Sequence, residues 1–360
     1  MSSPTKESAL ELAARWGHER VVLIHDARTG LRAVVALHSS LFGPSAGGTR
    51  MRIYPRFDDA VIDALRLSRA MTYKATFAGV RFGGAKAVID ADPRRADRRE
   101  LLEAYARAVV ELEDRFVTGG DMGIDQDDVR FMAGISRAFA HAPQGAGPDA
   151  SELTAIGLVS AIRATAARLG LTMNGLSVAI QGVGEVGGRV ARRLAAEGAR
   201  LTVADTLGER AHAVAAETGA ELVTPEEIAG VVCDVFSPNA GGGGLDDHAR
   251  DELRCRAICG AANNPLATDD VGEELDRLGI LYAPDFVVNA GGILSLLFET
   301  GELDAAATVR RVERIGADLT ELFAVAEAER IPPFRLAERR VEEILARKAA
   351  ELGGVPAVAR

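Results

Sequence analysis

Two lysines twelve residues apart, Lys74 and Lys86, lie in the run Thr72 to Asp90, TYKATFAGVRFGGAKAVID. Their surroundings are apolar and glycine-rich. A lysine in such a setting loses hydration, its charged form is penalised, and a second cation nearby acts in the same direction. Its pKa can then fall toward the range that suits a general base. The alternative for either lysine is a solvated or snorkelling surface group. A carboxylate adds to the picture: Phe116 to Gly123, FVTGGDMG, reads as a short strand entering a glycine-rich turn that presents Asp121. Strand ends are where open α/β sheets place their chemistry, although an acid there could also simply cap a helix starting near Asp125.

The elements that must position these groups can be read from periodicity. Val61, Ala64, Leu65, Leu67, Ala70 and Met71 recur at helical spacing, so a helix over about 58–76 carries Lys74 near its end. Lys86 is expected just ahead of a strand at Ala87 to Ile89. Val21–His25 and Arg32–His38 flank a turn at Asp26–Gly30 and read as a hairpin. Gly43–Met51 reads as a turn-rich loop in which paired glycines let backbone N–H groups approach a small ligand. Helices are expected over 99–113 and 125–140, and a polar linker over 143–150.

The second half opens with a helix over 154–169. Leu176 to Val190 then spells a strand, the turn Gly182-Val183-Gly184-Glu185-Val186-Gly187 and a helix running to about Ala199. A second strand, Leu201–Ala204, leads into Asp205. A lone G-x-G-x-x-G is common by chance, but this strand–turn–helix–strand–acid context is that of a dinucleotide site. Gly182 permits the tight turn, Gly184 lets the backbone reach a pyrophosphate at the helix N-terminus, and Gly187 allows close helix–strand packing. Asp205 would bind ribose hydroxyls and repel a 2′-phosphate, which favours NAD over NADP. Runs at Cys233–Ser237 and Arg256–Gly260 continue a doubly wound sheet, and 305–347 reads as two long helical segments broken by Ile331-Pro332-Pro333-Phe334.

The expected fold is therefore α/β in two domains: an N-terminal domain with a mixed sheet at 1–148, a Rossmann-type domain at 149–330, and a C-terminal helical tail at 331–360 that returns across the cleft to pack on the first. Length favours more than one core at 360 residues. Hydrophobic residues at 48% and charged residues at 26% give a globular balance. A net charge of −10 and 5% aromatics argue against nucleic acid as a partner. No run is long and apolar enough to span a bilayer. The three cysteines lack a histidine cluster and spell no metal site, and with no apolar leader they fit a reducing cytoplasm.

The chain resembles the glutamate/leucine/phenylalanine/valine dehydrogenase family over nearly its whole length. The blocks Gly43–Met51, Thr72–Lys74, Gly83–Lys86, Thr118–Gly123, the Gly182 turn, Gly260–Asn264 and Tyr282–Gly292 come in family order. The resemblance implies reversible oxidative deamination of an L-amino acid to the 2-oxo acid and ammonia, with NAD as cofactor and a homo-oligomer assembled through the first domain. By resemblance Lys74 binds the substrate α-carboxylate, Lys86 works with water, and Asp121 shuttles a proton at the substrate nitrogen. Gly47 and Gly48 line the same site, and Asn263 lies near the substrate and the nicotinamide ribose. Thr154, Asn239, Ala261 and Asn289 join Gly182–Gly187 and Asp205 in the cofactor set.

Glutamate-specific members carry a lysine before the paired glycines and a serine after the Asn-Ala-Gly-Gly block, both serving the distal carboxylate. Here those positions hold Ala46 and Leu296. A buried carboxylate without partners is heavily penalised, so an apolar substrate of the leucine, valine or phenylalanine type is expected. Ala46, Gly119, Ile293 and Leu296 are then the pocket lining, and side-chain volume does not separate the three types. Two departures from the family pattern are Ala85 in place of the third glycine before Lys86 and the glycine run at 241–244. A 2-hydroxy-acid oxidoreductase would ordinarily use a histidine as acid/base, and none of the six falls in these motifs. A non-catalytic dinucleotide-binding relative would have no chemical need for Lys74, Lys86 and Asp121 together.

Overall fold

The computed structural model describes residues 8–139, 149–241 and 244–353; most of the expected linker, and Gly242 and Gly243, lie outside the described residues. The chain divides into two compact units, Met1–Ala146 with Val341–Arg360, and Gly147–Arg340.

The first unit begins with α1 (Ala9–Arg15), which Ser8 and Glu11 close with a capping box. The hairpin follows as β1 (Arg20–Asp26) and β2 (Leu31–Ser39), antiparallel in register. The segment expected as a loop is instead built into the sheet as β3 (Ser45–Ala46) and β4 (Thr49–Arg52). Next come α2 (Phe57–Ala78), ended by Gly79 at φ 72°, and β5 (Gly83–Asp90). Lys86 thus lies inside a strand rather than ahead of one. The unit continues with α3 (Arg98–Ala108), a 3₁₀ turn (Val109–Leu112), β6 (Phe116–Val117) and α4 (Gln126–Ala133), the last shorter than expected.

The strand order is β1-β2-β5-β3-β6, with β4 also on β5. β1, β2 and β5 pair antiparallel, whereas β3, β4 and β6 join in parallel, so the sheet is mixed. Alternation divides its residues between two cores. Leu31, Ala33, Val35, Leu37, Ala85, Ala87, Ile89 and Met51 pack with Leu101, Leu102 and Tyr105 of α3. Val34, Ala36 and Val88 pack on the opposite face with Ala60, Val61, Ala64 and Leu65 of α2. Lys86 shares the parity of Val88, and Arg50 is the register partner of Val88, so both belong to the α2 face.

The second unit opens with α5 (Ala150–Arg168), capped by Asp149. It alternates β7 (Ser177–Gln181), α6 (Glu185–Ala196), β8 (Arg200–Ala204), α7 (Gly208–Thr218) and β9 (Glu221–Leu222). A 3₁₀ turn (Ile228–Gly230) leads to β10 (Cys233–Pro238), α8 (Asp247–Glu252), β11 (Cys255–Ile258), α9 (Asp269–Arg277) and β12 (Leu281–Tyr282). The six strands are all parallel in the order β12-β11-β10-β7-β8-β9. Two three-strand halves thus run outward from a switch between β7 and β10, where open α/β sheets bind ligands.

The helices that follow are α10 (Asp285–Val288), α11 (Gly291–Glu299), α12 (Ala305–Glu313), α13 (Ile315–Glu329) and α14 (Pro333–Glu351). Three helices thus occupy the stretch read as two. The extra break has a tertiary cause: the Ser160 hydroxyl donates to the carbonyl of Glu313 at 2.6 Å, and a Cβ on Gly316 would meet the backbone oxygen of Ser160 at 2.7 Å. α14 begins in the second unit and ends in the first.

Candidate active site

In the first unit, packing explains the glycines before it explains the charges. A Cβ on Gly84 would lie 2.1 Å from the backbone N of Thr72, and one on Gly47 would lie 1.7 Å from the carbonyl of Ala85. The Thr72-Tyr73-Lys74 turn of α2 therefore sits directly on the start of β5, and β3 directly beside it. A Cβ on Gly48 would press on Gly120 and on Asp121 Cβ. Ala85 in place of glycine is accommodated: it is fully buried, lies opposite Leu37, and has no positive φ.

Lys74 on α2 is buried. Lys86 Nζ lies 3.1 Å from Asp121 Oδ2, with side-chain exposures of 6% and 19%. Asp121 is no helix cap. That role falls to Asp125, which caps α4, while Asp121 sits in a tight turn closed by Gly123 at φ 79°. Ala46 is buried in β3, and the carbonyl of Gly119 accepts the N–H of Thr49 at 2.9 Å.

The sequence reading missed Arg50, whose Nε donates to Asp121 Oδ2 at 2.8 Å and whose Nη1 donates to Asp63 Oδ2 at 3.0 Å. Its only signal was its place between Thr49 and Met51, which are buried on the other face. Burial lowers the pKa of Lys86 below the usual lysine value; Asp121 opposes this and Arg50 reinforces it. Burial alone would raise the Asp121 pKa, yet the charges of Lys86 and Arg50 outweigh it and hold the carboxyl well below its usual range. The contact thus joins a carboxylate held ionised to a lysine whose pKa burial lowers, an arrangement suited to proton transfer.

In the second unit, Gly182 takes φ 88° between β7 and α6, and a Cβ on Gly187 would lie 2.0 Å from the carbonyl of Gly182. Gly184 is the N-cap of α6 and supplies no side-chain cap, so the first N–H groups of the helix are available to an anion. Val183 and Leu207 N–H groups donate to the two carboxylate oxygens of Asp205 at 2.9 and 2.8 Å, fixing it at the end of β8.

Asn239, just after β10, accepts the N–H of Ala261 at 2.9 Å. Asn289 donates to the carbonyls of Ala261 and Ala262 and to Asn263 Oδ1, yet its own buried Oδ1 has no partner among the described residues. A buried acceptor left open costs free energy unless something donates to it, as the carboxamide of a nicotinamide can. Thr154 on α5 lies against the start of α11, its Oγ1 3.2 Å from where a Cβ of Gly292 would stand. Ile293 is buried and Leu296 half-buried on α11. These groups fit a dinucleotide. Among the described residues no cluster of histidine, cysteine, aspartate or glutamate could hold a metal ion.

The model of the Glu/Leu/Phe/Val dehydrogenase dimerisation domain matches residues 18–137, and that of Glutamate/Leucine/Phenylalanine/Valine dehydrogenase matches residues 203–321. The chain belongs to this family. Among its curated relatives in the family, leucine dehydrogenase of Thermoactinomyces intermedius is 35% identical over 91% of both chains. Phenylalanine dehydrogenase of the same organism is 40% identical over 93% of both. The crystal structure of L-tryptophan dehydrogenase from Nostoc punctiforme superimposes with a TM-score of 0.76 at 34% identity, covering 95% of this chain and 99% of that one. This member of the family is thus an amino-acid dehydrogenase, an oxidoreductase in a family that uses NAD(P).

Proposed function

We propose that the chain catalyses the reversible, NAD-dependent oxidative deamination of an apolar L-amino acid to its 2-oxo acid and ammonia. The observation that carries this reading is the buried contact between Lys86 and Asp121. Lys74 holds the substrate carboxylate by charge. Asp121, kept ionised, takes a proton from the substrate ammonium and leaves the amine neutral. The bound dinucleotide supplies the hydride acceptor. Once the Cα hydride has left, Lys86, in its neutral form, takes one proton from the water that adds to the iminium carbon; the proton held at Asp121 goes to the nitrogen, and as the C–N bond breaks the new hydroxyl loses its proton to solvent, leaving the 2-oxo acid and ammonia. The low exposure of Lys86 and Asp121 limits competition from solvent for these proton transfers.

NAD rather than NADP is supported by Asp205, whose fixed carboxylate would lie against a 2′-phosphate. Gly182–Gly187 and the open N-terminus of α6 receive the pyrophosphate. Asn239, Ala261, Asn263, Asn289 and Thr154 hold the nicotinamide end. An apolar substrate of the leucine, valine or phenylalanine type is supported by Ala46, Gly119, Ile293 and Leu296, none of which can pair with a distal carboxylate. A homo-oligomer built through the first unit accords with the dimerisation domain matched there, and three free thiols accord with a cytoplasmic setting. Domain roles follow: substrate binding and assembly in the first unit, NAD in the second. Turnover with NAD and an apolar amino acid, absent with glutamate, tests the reading.

A further inference from the structure

The α2 face of the first sheet carries a charged group that the mechanism above leaves unused. Arg50 is buried, with 9% of its side chain exposed. It bridges Asp121 and Asp63, and the Tyr54 hydroxyl donates to the same oxygen of Asp63 that Arg50 binds. Lys86 and Arg50 converge on one oxygen of Asp121. Among the described residues Oδ1 of Asp121 accepts no hydrogen bond and remains available to a substrate nitrogen.

A lysine can work as a base only while neutral. Were it the sole partner of Asp121, discharging it would strand a buried carboxylate, which is strongly unfavourable. The pair would resist that state by keeping its proton on nitrogen. An arginine changes this balance because its guanidinium stays charged throughout the working pH range. We propose that Arg50, braced by Asp63 and Tyr54, is a positioning residue that keeps Asp121 ionised and aimed while Lys86 gives up its proton. This rests on the dehydrogenase reading and extends it to a residue that touches no reacting atom.

The charged groups that act on the Lys86–Asp121 pair are Arg50 on β4 and Asp63 on α2, with Tyr54 bonded to Asp63 and Arg52 acting on Tyr54 in turn. Of these, Asp121 and Asp63 favour the proton on Lys86 and Arg50 opposes it, with burial the largest influence. Removing Arg50 and removing Asp63 therefore act in opposite directions, a signature that a merely structural brace would not give.

The test follows the 13Cε resonance of Lys86 against pH in full-length protein labelled at lysine, assigned by its loss in Lys86→Ala, alongside the pH profile of kcat. Arg50→Gln is expected to raise the Lys86 midpoint by about one pH unit or more, an approximately tenfold change in the neutral fraction below the midpoint. Arg50→Lys is expected to restore it to within about half a unit, and Asp63→Asn to lower it. The kcat limb should move with the resonance. A midpoint unmoved in Arg50→Gln while kcat falls would overturn the proposal, and so would an upward or absent shift in Asp63→Asn, the variant that decides if Arg50→Gln does not fold. Wild-type protein that turns over no amino acid would count against the dehydrogenase reading alone, since the resonance measures Lys86 without turnover.

Discussion

Lys86 Nζ and Asp121 Oδ2 lie 3.1 Å apart, and the two residues reach each other from either side of β3, one on β5 and the other just beyond β6. Lys86 is therefore held by a strand of the sheet, and Asp121 by the tight turn that follows β6. Lys86→Ala is expected to lower kcat by about two orders of magnitude or more while NAD affinity, measured by calorimetry, stays within about twofold of wild type. Near wild-type turnover would remove Lys86 from the mechanism.

The close approach of Gly84 to Thr72 makes a structural prediction. Gly84→Ala places a methyl group against backbone that cannot rotate away, so stability should fall by about 2 kcal/mol or more, read as a lower urea midpoint with an unchanged m-value. An unaltered midpoint would mean that α2 and β5 are not packed this tightly.

Asp205 offers a test of cofactor choice. Asp205→Ala removes the charged acceptor at the end of β8, and NAD binding should weaken by about tenfold to a hundredfold while NADP binding improves relative to it. The ratio of the two dissociation constants decides, and an unchanged ratio would detach Asp205 from specificity.

A second structural prediction concerns acid. His38 is held between the Trp16 carbonyl and the Thr72 hydroxyl, and His18 against the Leu65 carbonyl and Ser68, with the two rings edge to face. Burial above all, with mutual repulsion adding at His38, pushes His18 down to about 4 and His38 down to about 3. Because the unfolded chain takes up these protons first, the stability they permit is full above the ordinary histidine pKa near 6.5 and is lost as pH falls from there toward 4. The loss should reach a few kcal/mol by about pH 4. Urea unfolding at pH 7 and pH 5 should show it, and His18→Gln should flatten the dependence; equal slopes in the two proteins would assign it elsewhere.

Sequence alone made the glycine-marked turns and the hairpin legible, because glycines and the apolar runs that flank a turn leave local signatures. Lys86 and Asp121, which the structure brings into contact, stood out for the same reason, each set among glycines. Three features were not. β3 and β4 are two- and four-residue parallel strands whose pairing is decided by β5, far along the chain. The break between α12 and α13 comes from Ser160 reaching the carbonyl of Glu313. Arg50 gained meaning only when Asp63, on α2, and Asp121, beyond β6, were seen to bracket it. In each case a partner distant in sequence makes the decision, and no local pattern encodes it.

The measurement that tests the central claim most directly is NADH formation by the purified chain with NAD and L-leucine, L-valine, L-phenylalanine, L-tryptophan or L-glutamate, repeated with NADP. The account predicts turnover with at least one apolar amino acid, NAD preferred, and little or none with glutamate. Turnover with glutamate alone, or none across the panel in protein that binds NAD, would contradict it.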